Sequence, residues 1–454
     1  MSTFHLINFG CRASYADGSA IKKQLMLRGF TETDPETSEV AVLNTCTVTA
    51  AADAEVRQVI RRIHRSNPGC KILVTGCYAQ RAADEIAKFP GVAWVIGNSH
   101  KHTLVEILTG DANAGTAVEH LPLPDEPEAG NGTSLIEQQS PQPLVRVGEI
   151  GEAFHFAPVF ADDRTRPTLK VQDGCNARCS FCVIPHVRGD SRSMEPDKVI
   201  EQIRELEQNG YKEIVLSGIN LGSYGRDLGR RINFLGLVER ILRETVIPRL
   251  RISSIEPMDV SRELIELVAA EPRMAHHFHV PLQSGSNKML RLMNRRYWTT
   301  QYAERIAAIR ERMPNCGIGA DVMAGFPGET EADHSESLQL IDSLPFTYLH
   351  IFPYSARPDT PAAEFPVQVD GRRIHERVRE MKSLIAAKRV RFLHNQIGQK
   401  LNAVVLHKSQ DGTPTALSSN YLQISLPGAE VTPNTMVAVQ IGRVHGGGLV
   451  GRPA

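Results

Sequence analysis

Cys175, Cys179 and Cys182 stand four and three residues apart in Gly174-Cys175-Asn176-Ala177-Arg178-Cys179-Ser180-Phe181-Cys182-Val183-Ile184-Pro185. They follow an apolar-alternating run, Thr168 to Val171, and so read as a loop after a strand. Thiolates this close on flexible backbone can converge on one metal centre. Three of them bind three irons of a cubane cluster and leave the fourth iron open to a small ligand, because full thiolate ligation takes four. A zinc knuckle short of its fourth ligand and a chance cluster of buried cysteines are the alternatives. Cys-x3-Cys-x2-Cys is not zinc-like spacing.

Three further cysteines are placed by strands. Phe4-His5-Leu6-Ile7-Asn8-Phe9 reads as a buried strand ending in Gly10-Cys11, and Val40-Ala41-Val42-Leu43 as a second, ending in Asn44-Thr45-Cys46-Thr47-Val48-Thr49. Lys71-Ile72-Leu73-Val74 is a third, ending in Gly76-Cys77-Tyr78. Between them lie helical patterns, one with Ile21, Leu25 and Met26, the next with Val56, Val59, Ile60 and Ile63. This alternation implies a parallel sheet, whose strand carboxyl ends share the edge where open α/β sheets bind ligands. Cys11, Cys46 and Cys77 could therefore meet there, although more than thirty residues separate each from the next. The plain alternative is three structural cysteines packed at strand ends.

The remaining elements come in order. From about Thr109 to Arg166 apolar periodicity dissolves into an acidic stretch punctuated by Pro122, Pro124, Pro127, Pro141 and Pro143, the pattern of a long linker. A second series of strands follows: Thr168–Val171, Glu213–Leu216, Leu250–Ser253, His277–Val280, Gly317–Val322 and Tyr348–Phe352. One helix between them carries Val199, Ile200, Ile203 and Leu206, another Tyr302, Ile306, Ile309 and Met313. About six strand–helix units suggest a partial α/β barrel with the cysteine loop at its catalytic, carboxyl face. His276, His277 and His279 are expected to be satisfied or surface histidines rather than ligands. A basic helix from about Gly371 to Gln396 leads into short runs at Asn402–Leu406, Leu422–Leu426 and Val437–Ile441, separated by turns at Asp411-Gly412 and Pro427-Gly428, a small antiparallel β-barrel.

The cysteine loop resembles that of radical S-adenosylmethionine enzymes. Lys170-Val171-Gln172-Asp173-Gly174 through Arg188-Gly189-Asp190-Ser191-Arg192-Ser193 is similar to the methylthiotransferases among them. Gly10-Cys11, Asn44-Thr45-Cys46-Thr47-Val48-Thr49 and Gly76-Cys77 resemble the signature points of that family's N-terminal domain. The resemblance implies two 4Fe-4S clusters, on Cys175, Cys179 and Cys182 and on Cys11, Cys46 and Cys77, with S-adenosyl-L-methionine. The family usually carries Asn three residues after the first cysteine; here it is Ser14. Cys70 and Cys316 match no family cysteine and read as small core residues. Ser217-Gly218-Ile219-Asn220 falls where the family's S-adenosylmethionine amino-group contacts lie, and Ala324-Gly325-Phe326-Pro327-Gly328-Glu329-Thr330 resembles the segment that supports the adenine. Ser253-Ser254-Ile255-Glu256-Pro257 and Val280-Pro281-Leu282-Gln283-Ser284-Gly285 follow the strands between. Within these four loops Ser217, Gly218, Ser253, Glu256, Gln283 and Gly325 are the expected contacts. Ala416-Leu417-Ser418-Ser419-Asn420-Tyr421 resembles the TRAM module, an RNA-binding barrel.

The implied architecture is α/β multidomain. It comprises an N-terminal parallel α/β methylthiotransferase domain over 1–110, an acidic Pro/Gly-containing linker over 111–165, a partial (β/α)6 radical S-adenosylmethionine barrel with a basic C-terminal helix over 166–395, and a TRAM-like β-barrel over 396–454. The implied reaction replaces an aromatic C–H by C–S, which offers neither an acidic proton nor a leaving group, so a radical takes the hydrogen instead. Within the family the chain looks most like the branch that adds methylthio to carbon 2 of N6-threonylcarbamoyladenosine at position 37 of tRNA. The segments carrying that likeness are Asn44 to Thr49, Ser217 to Gly225 and Ile351-Phe352-Pro353-Tyr354-Ser355-Ala356-Arg357. The isopentenyladenosine branch, the branch acting on a ribosomal-protein aspartate, and a non-enzymatic iron–sulfur RNA-binding sensor are the alternatives. The implied partners are the tRNA anticodon loop and an electron donor such as flavodoxin or ferredoxin, for a monomer.

Totals set the outer bounds. The 454 residues suffice for two to four domains, and 41% hydrophobic with 22% charged residues fits an ordinary globular chain. Met1-Ser2-Thr3-Phe4-His5 has neither a basic start nor a long apolar run, so a cytoplasmic protein with no membrane span is expected. Its eight cysteines are then metal or redox ligands before disulfides. Net charge is zero, but Arg57, Arg61, Arg62 and Arg65 cluster, as do Arg372, Arg373, Arg377, Arg379, Lys382, Lys388, Arg389 and Arg391. Each run is most simply a solvated helix face, and each could also form part of a track for phosphates.

Overall fold

The computed structural model describes residues 2–109, 142–150, 156, 165–229, 232–407 and 412–454. The chain forms two compact units, the first Met1–Phe9, Ile21–Cys46 and Asp53–His155, the second Gly10–Ala20, Thr47–Ala52 and Phe156–Ala454.

The first unit is built on a parallel sheet of β1 (Thr3–Asn8), β2 (Thr31–Glu32), β3 (Val40–Thr45), β4 (Lys71–Gly76), β5 (Val92–Ile96) and β6 (Leu144–Arg146), in the order β2-β1-β3-β4-β5-β6. Every residue of β3 is buried, as a central parallel strand covered on both faces requires. Val56, Val59, Ile60 and Ile63 form the buried stripe of the helix Ala50–Ser66. Cys70 is buried in the core, as Cys316 is in the second unit. Met26 departs from its helix's expected stripe, standing 50% exposed. The linker expected over 111–165 needs one correction. Leu144–Arg146 pairs in parallel with Trp94–Ile96 and completes the sheet, a strand too short to show periodicity. Most of that stretch lies outside the described residues.

The second unit holds all six expected barrel strands. They are β7 (Thr168–Lys170), β10 (Glu213–Ser217), β11 (Arg249–Ile252), β12 (His277–His279), β13 (Gly317–Ala324) and β14 (Tyr348–Pro353). They form two parallel three-stranded groups, β7-β10-β11 and β12-β13-β14, linked by parallel bridges Leu250–Met274 and Ser254–His279. A small antiparallel pair, β8 (Gln172–Asp173) and β9 (Arg192–Ser193), pinches the base of the cysteine loop.

The C-terminal barrel is closed, in the order β15 (Lys400–Val405), β16 (Thr415–Ser418), β17 (Gln423–Ser425), β19 (Gly448–Pro453) and β18 (Met436–His445). It is not wholly antiparallel as expected. β17 and β19 run parallel, because the chain after β18 reverses at Gly446-Gly447 and returns to the open edge. Asp411 of the expected Asp411-Gly412 turn lies outside the described residues. The TRAM-like stretch Ala416–Tyr421 is the seam to the larger barrel. Arg249 donates to the Asn402 carbonyl at 3.1 Å, and Arg251 to the Ser419 and Ser418 carbonyls at 3.0 and 3.1 Å. Glu213, wholly buried, pairs with Arg251 at 2.7 Å, Arg166 at 3.2 Å and Arg249 at 3.6 Å.

Candidate active site

The cysteine loop is held from below by a buried ionic cage. Lys170 pairs with Asp173 at 2.6 Å and with Asp17, and Arg188 reaches Asp173 at 2.9 Å and Asp17 at 3.0 Å. Burial alone would raise the Asp173 carboxyl, but the Arg188 and Lys170 charges outweigh it and hold it at about 2. Gly174 opens the loop at φ +71°, and a Cβ there would lie 1.9 Å from the Asp190 carbonyl oxygen. Gly174→Ala is therefore expected to destabilise the loop by at least about 1–3 kcal/mol, read as reduced iron retention after anaerobic reconstitution.

Around the thiols sit donors suited to sulfur. The Ala177 N–H lies 3.4 Å from Cys175 Sγ, Asn220 Nδ2 is 3.9 Å from the same atom, and Arg295 Nη1 donates to Cys179 Sγ at 3.4 Å. Burial pushes the Cys175 thiol up and the Cys182 thiol up to about 12, so metal loading must displace protons. Among the described residues, Cys175, Cys179 and Cys182 do not form a group whose ligand atoms all lie within 4.8 Å. A single zinc ion would draw three sulfurs to about 4 Å of one another at its usual bond lengths, whereas a cubane spreads its ligands over separate irons. The donor set fits the cluster.

Beside the thiols opens a cleft of roughly 390 Å³, lined by Ala177, Cys179, Asn220, Glu256, Arg295 and Tyr297 among others. Arg295 is clamped to Glu256 by an ion pair, and burial raises the Glu256 carboxyl against that pairing. Asn220 Oδ1 is shielded from solvent with no hydrogen-bond partner among the described residues, an acceptor positioned for a ligand's N–H. Gln172 Oε1 accepts from the Asn220 N–H at 2.7 Å while its Nε2 donates to Ser191 Oγ at 2.9 Å, joining the β10 loop to the cysteine loop. Of the six expected S-adenosylmethionine contacts, Glu256 lines this cleft. Ser217, Gly218 and Ser253 sit at the ends of β10 and β11, with both serines buried. Gln283 adopts φ +62°, and the Gly325 N–H donates to Glu329 at 2.6 Å. Nothing in the sequence singles out Arg295, since only burial separates it from exposed Arg296 in Asn294-Arg295-Arg296-Tyr297.

Residues 169–341 match the Radical SAM superfamily, and residues 3–97 match Uncharacterized protein family UPF0004. The chain is 37% identical over 423 residues to a threonylcarbamoyladenosine tRNA methylthiotransferase MtaB of Aquifex aeolicus, covering 92% of this chain and 95% of that one. A Bacillus subtilis relative of the same name is 36% identical over 447 residues, 97% of this chain and 94% of the other. The chain belongs to the MtaB-type radical S-adenosylmethionine methylthiotransferases. It is thus an enzyme that uses S-adenosylmethionine and an iron–sulfur cluster. A radical S-adenosylmethionine methyltransferase, TsrM, from Kitasatospora setae shares the fold at TM-score 0.54 and 16% identity, over 80% of this chain and 74% of that one.

In this methylthiotransferase the other three cysteines are held in distinct ways. Cys46 follows β3 and is buried. Cys77 follows β4 and accepts from Asn98 Nδ2 at 3.5 Å. Gly76, at φ +97°, brings the two strand ends together: a Cβ there would lie 2.4 Å from the Thr45 carbonyl oxygen. Cys11 belongs to the second unit and is exposed, with Ser14 Oγ 3.7 Å from its Sγ. Ser14, three residues after Cys11, therefore places a polar group against the thiol. Segments flanking Cys11 and Cys46 are gripped within the second unit. Asp17 joins the ionic cage, Arg12 donates to the Tyr421 hydroxyl at 2.8 Å, and Arg357 donates to Thr47 Oγ1 at 2.9 Å.

Proposed function

We propose that this enzyme adds a methylthio group to carbon 2 of N6-threonylcarbamoyladenosine at position 37 of tRNA. Near-complete coverage of two relatives bearing that name carries the reading. Cys175, Cys179 and Cys182 hold one 4Fe-4S cluster, and Cys11, Cys46 and Cys77 a second. When bound, these clusters supply the electron that cleaves S-adenosylmethionine reductively and the sulfur-transfer chemistry. The chain's residues do the positioning. Asn220 Oδ1 accepts from the ammonium of S-adenosylmethionine, and Arg295 orients Glu256 beside it. Ser217, Gly218, Ser253, Gln283 and Gly325 complete that pocket at the strand ends. The target base is unstacked from the anticodon loop, which is easiest in single-stranded RNA. An electron donor of the flavodoxin or ferredoxin kind serves a cytoplasmic monomer. Among the described residues, no helix is long and apolar enough to cross a membrane.

Phosphates meet the helix Gly371–His394. Arg377 and Lys388 are buried, Arg377 bound to Glu329 at 2.8 Å and Lys388 paired with Asp342 at 3.9 Å, so they take no part. Arg372, Arg379 and Lys382 follow at intervals of seven and three residues and are exposed, whereas Arg389 is only part-exposed at the flank of the buried stripe. Replacing Arg379 and Lys382 by Gln is expected to weaken tRNA binding and lower the log–log salt slope by about 1 per lost contact, measured by filter binding over a salt series. A dimethylallyladenosine substrate is the second reading, favoured by a Pelotomaculum thermopropionicum tRNA-2-methylthio-N(6)-dimethylallyladenosine synthase, 31% identical over 91% of this chain. Mass spectrometry of tRNA nucleosides from a deletion strain decides between them. Loss of the methylthio-threonylcarbamoyl nucleoside supports the first; its persistence, with no second enzyme able to make it, rejects it.

A further inference from the structure

Three adjacent parallel strands of the barrel each contribute one metal-capable side chain to a point outside the cleft at the cysteine loop. His279 comes from β12, Asp321 from β13 and His350 from β14. Their ligand atoms all lie within 4.8 Å of one another, the one such group among the described residues. His279 Nε2 is 3.0 Å from Asp321 Oδ1, and His350 Nδ1 is 3.3 Å from the same oxygen. A four-coordinate ion with bonds of about 2.0–2.1 Å spaces its ligand atoms about 3.3 Å apart. These two gaps match a coordination sphere as well as they match N–H···O hydrogen bonds from the histidines to Asp321. His279 is buried, Asp321 part-buried and His350 exposed, which gives an ion a path inward.

Behind the group lies an orienting shell. Tyr348 Oη is 3.0 Å from His279 Nδ1 and 2.7 Å from His277 Nε2. His277 is fully buried, and its Nδ1 has no hydrogen-bond partner among the described residues. If His279 Nδ1–H donates to the Tyr348 hydroxyl and that hydroxyl donates to His277 Nε2, His279 Nε2 is left as a lone pair aimed at Asp321. Metal-ligating histidines are held this way, through the nitrogen that does not bind the ion.

We propose that His279, Asp321 and His350 bind one divalent transition-metal ion of the zinc or ferrous class. Two imidazoles and one carboxylate suit such ions, and three protein ligands leave a position open for an oxygen donor. The site shares no residue with either cysteine triad.

The test uses full-length protein carrying its iron–sulfur clusters, dialysed anaerobically against zinc and examined at the zinc absorption edge. About one zinc per chain is expected, with nitrogen and oxygen at about 2.0–2.1 Å and no sulfur at about 2.3 Å. His350→Ala should weaken binding at least roughly tenfold, and Tyr348→Phe, which touches no ion, by roughly 10–100-fold. His350 is exposed, so its variant should keep its iron, and unchanged iron content reports an intact fold. His375→Ala, on the solvated helix Gly371–His394, should change nothing. Absence of stoichiometric zinc, a sulfur shell from vacant cysteines, or full retention in His350→Ala would each overturn the site and mark the trio as a hydrogen-bonded cluster.

Discussion

Cys179→Ala is expected to release no 5′-deoxyadenosine above background when given S-adenosylmethionine and dithionite without oxygen. Cys179 is one of three thiols on the loop, and Arg295 bridges it to the cleft through Glu256. Losing it removes a cluster ligand and one of the two partners that hold Arg295. Iron should fall from about eight to about four per chain. Cys46→Ala should lose a similar share of iron yet still cleave S-adenosylmethionine, without transferring sulfur. Cys70→Ala, in the core, should keep its full iron complement. If Cys179→Ala and Cys46→Ala gave one phenotype, division of labour between the triads would fail.

The second large effect is on stability. Glu213→Gln leaves Arg251, Arg249 and Arg166 without their shared carboxylate in a fully buried site, and breaking a buried ion pair this way costs about 3–5 kcal/mol. Denaturant unfolding of the cluster-loaded protein reads the loss. Glu266→Gln, which breaks an exposed pair with Arg312, should cost at most about 1 kcal/mol. Acid should act at the same place. Burial opposes the charge on Glu213, but the Arg251 guanidinium and its neighbours hold the carboxyl down from 4.5 to about 2. A carboxyl depressed on folding stabilises above its unfolded value. That stability is fully present above pH 4.5 and fades as pH falls toward 2, and Glu213→Gln should remove this part of the acid sensitivity.

These two networks also mark where sequence reading stops. The continuous apolar run Val40–Leu43 and the stripe Val56, Val59, Ile60, Ile63 announce a buried parallel strand and its helix, because periodicity is local. So is the spacing of Cys175, Cys179 and Cys182. The two-residue strands β2 and β8, β6 at its sheet's edge, and β19, which closes the barrel between β17 and β18, are too short or too dependent on a distant partner to carry a pattern. Lys170, Asp173 and Arg188 stand inside a recognisable string, yet their role needs Asp17, 153 residues before Lys170. Likewise His279 lies in a histidine-rich strand, but Asp321 and His350 become its neighbours only through the register of β12, β13 and β14.

The central claim, methylthiolation of a threonylcarbamoylated adenosine, is tested most directly in one anaerobic reaction. Reconstituted enzyme, S-adenosylmethionine, dithionite and tRNA carrying N6-threonylcarbamoyladenosine at position 37 are combined, and the digested nucleosides are analysed by mass spectrometry. The account predicts the 2-methylthio derivative of that nucleoside together with 5′-deoxyadenosine. Formation of 5′-deoxyadenosine with no sulfur on that base, or sulfur only on dimethylallyladenosine in a parallel tRNA, would contradict it.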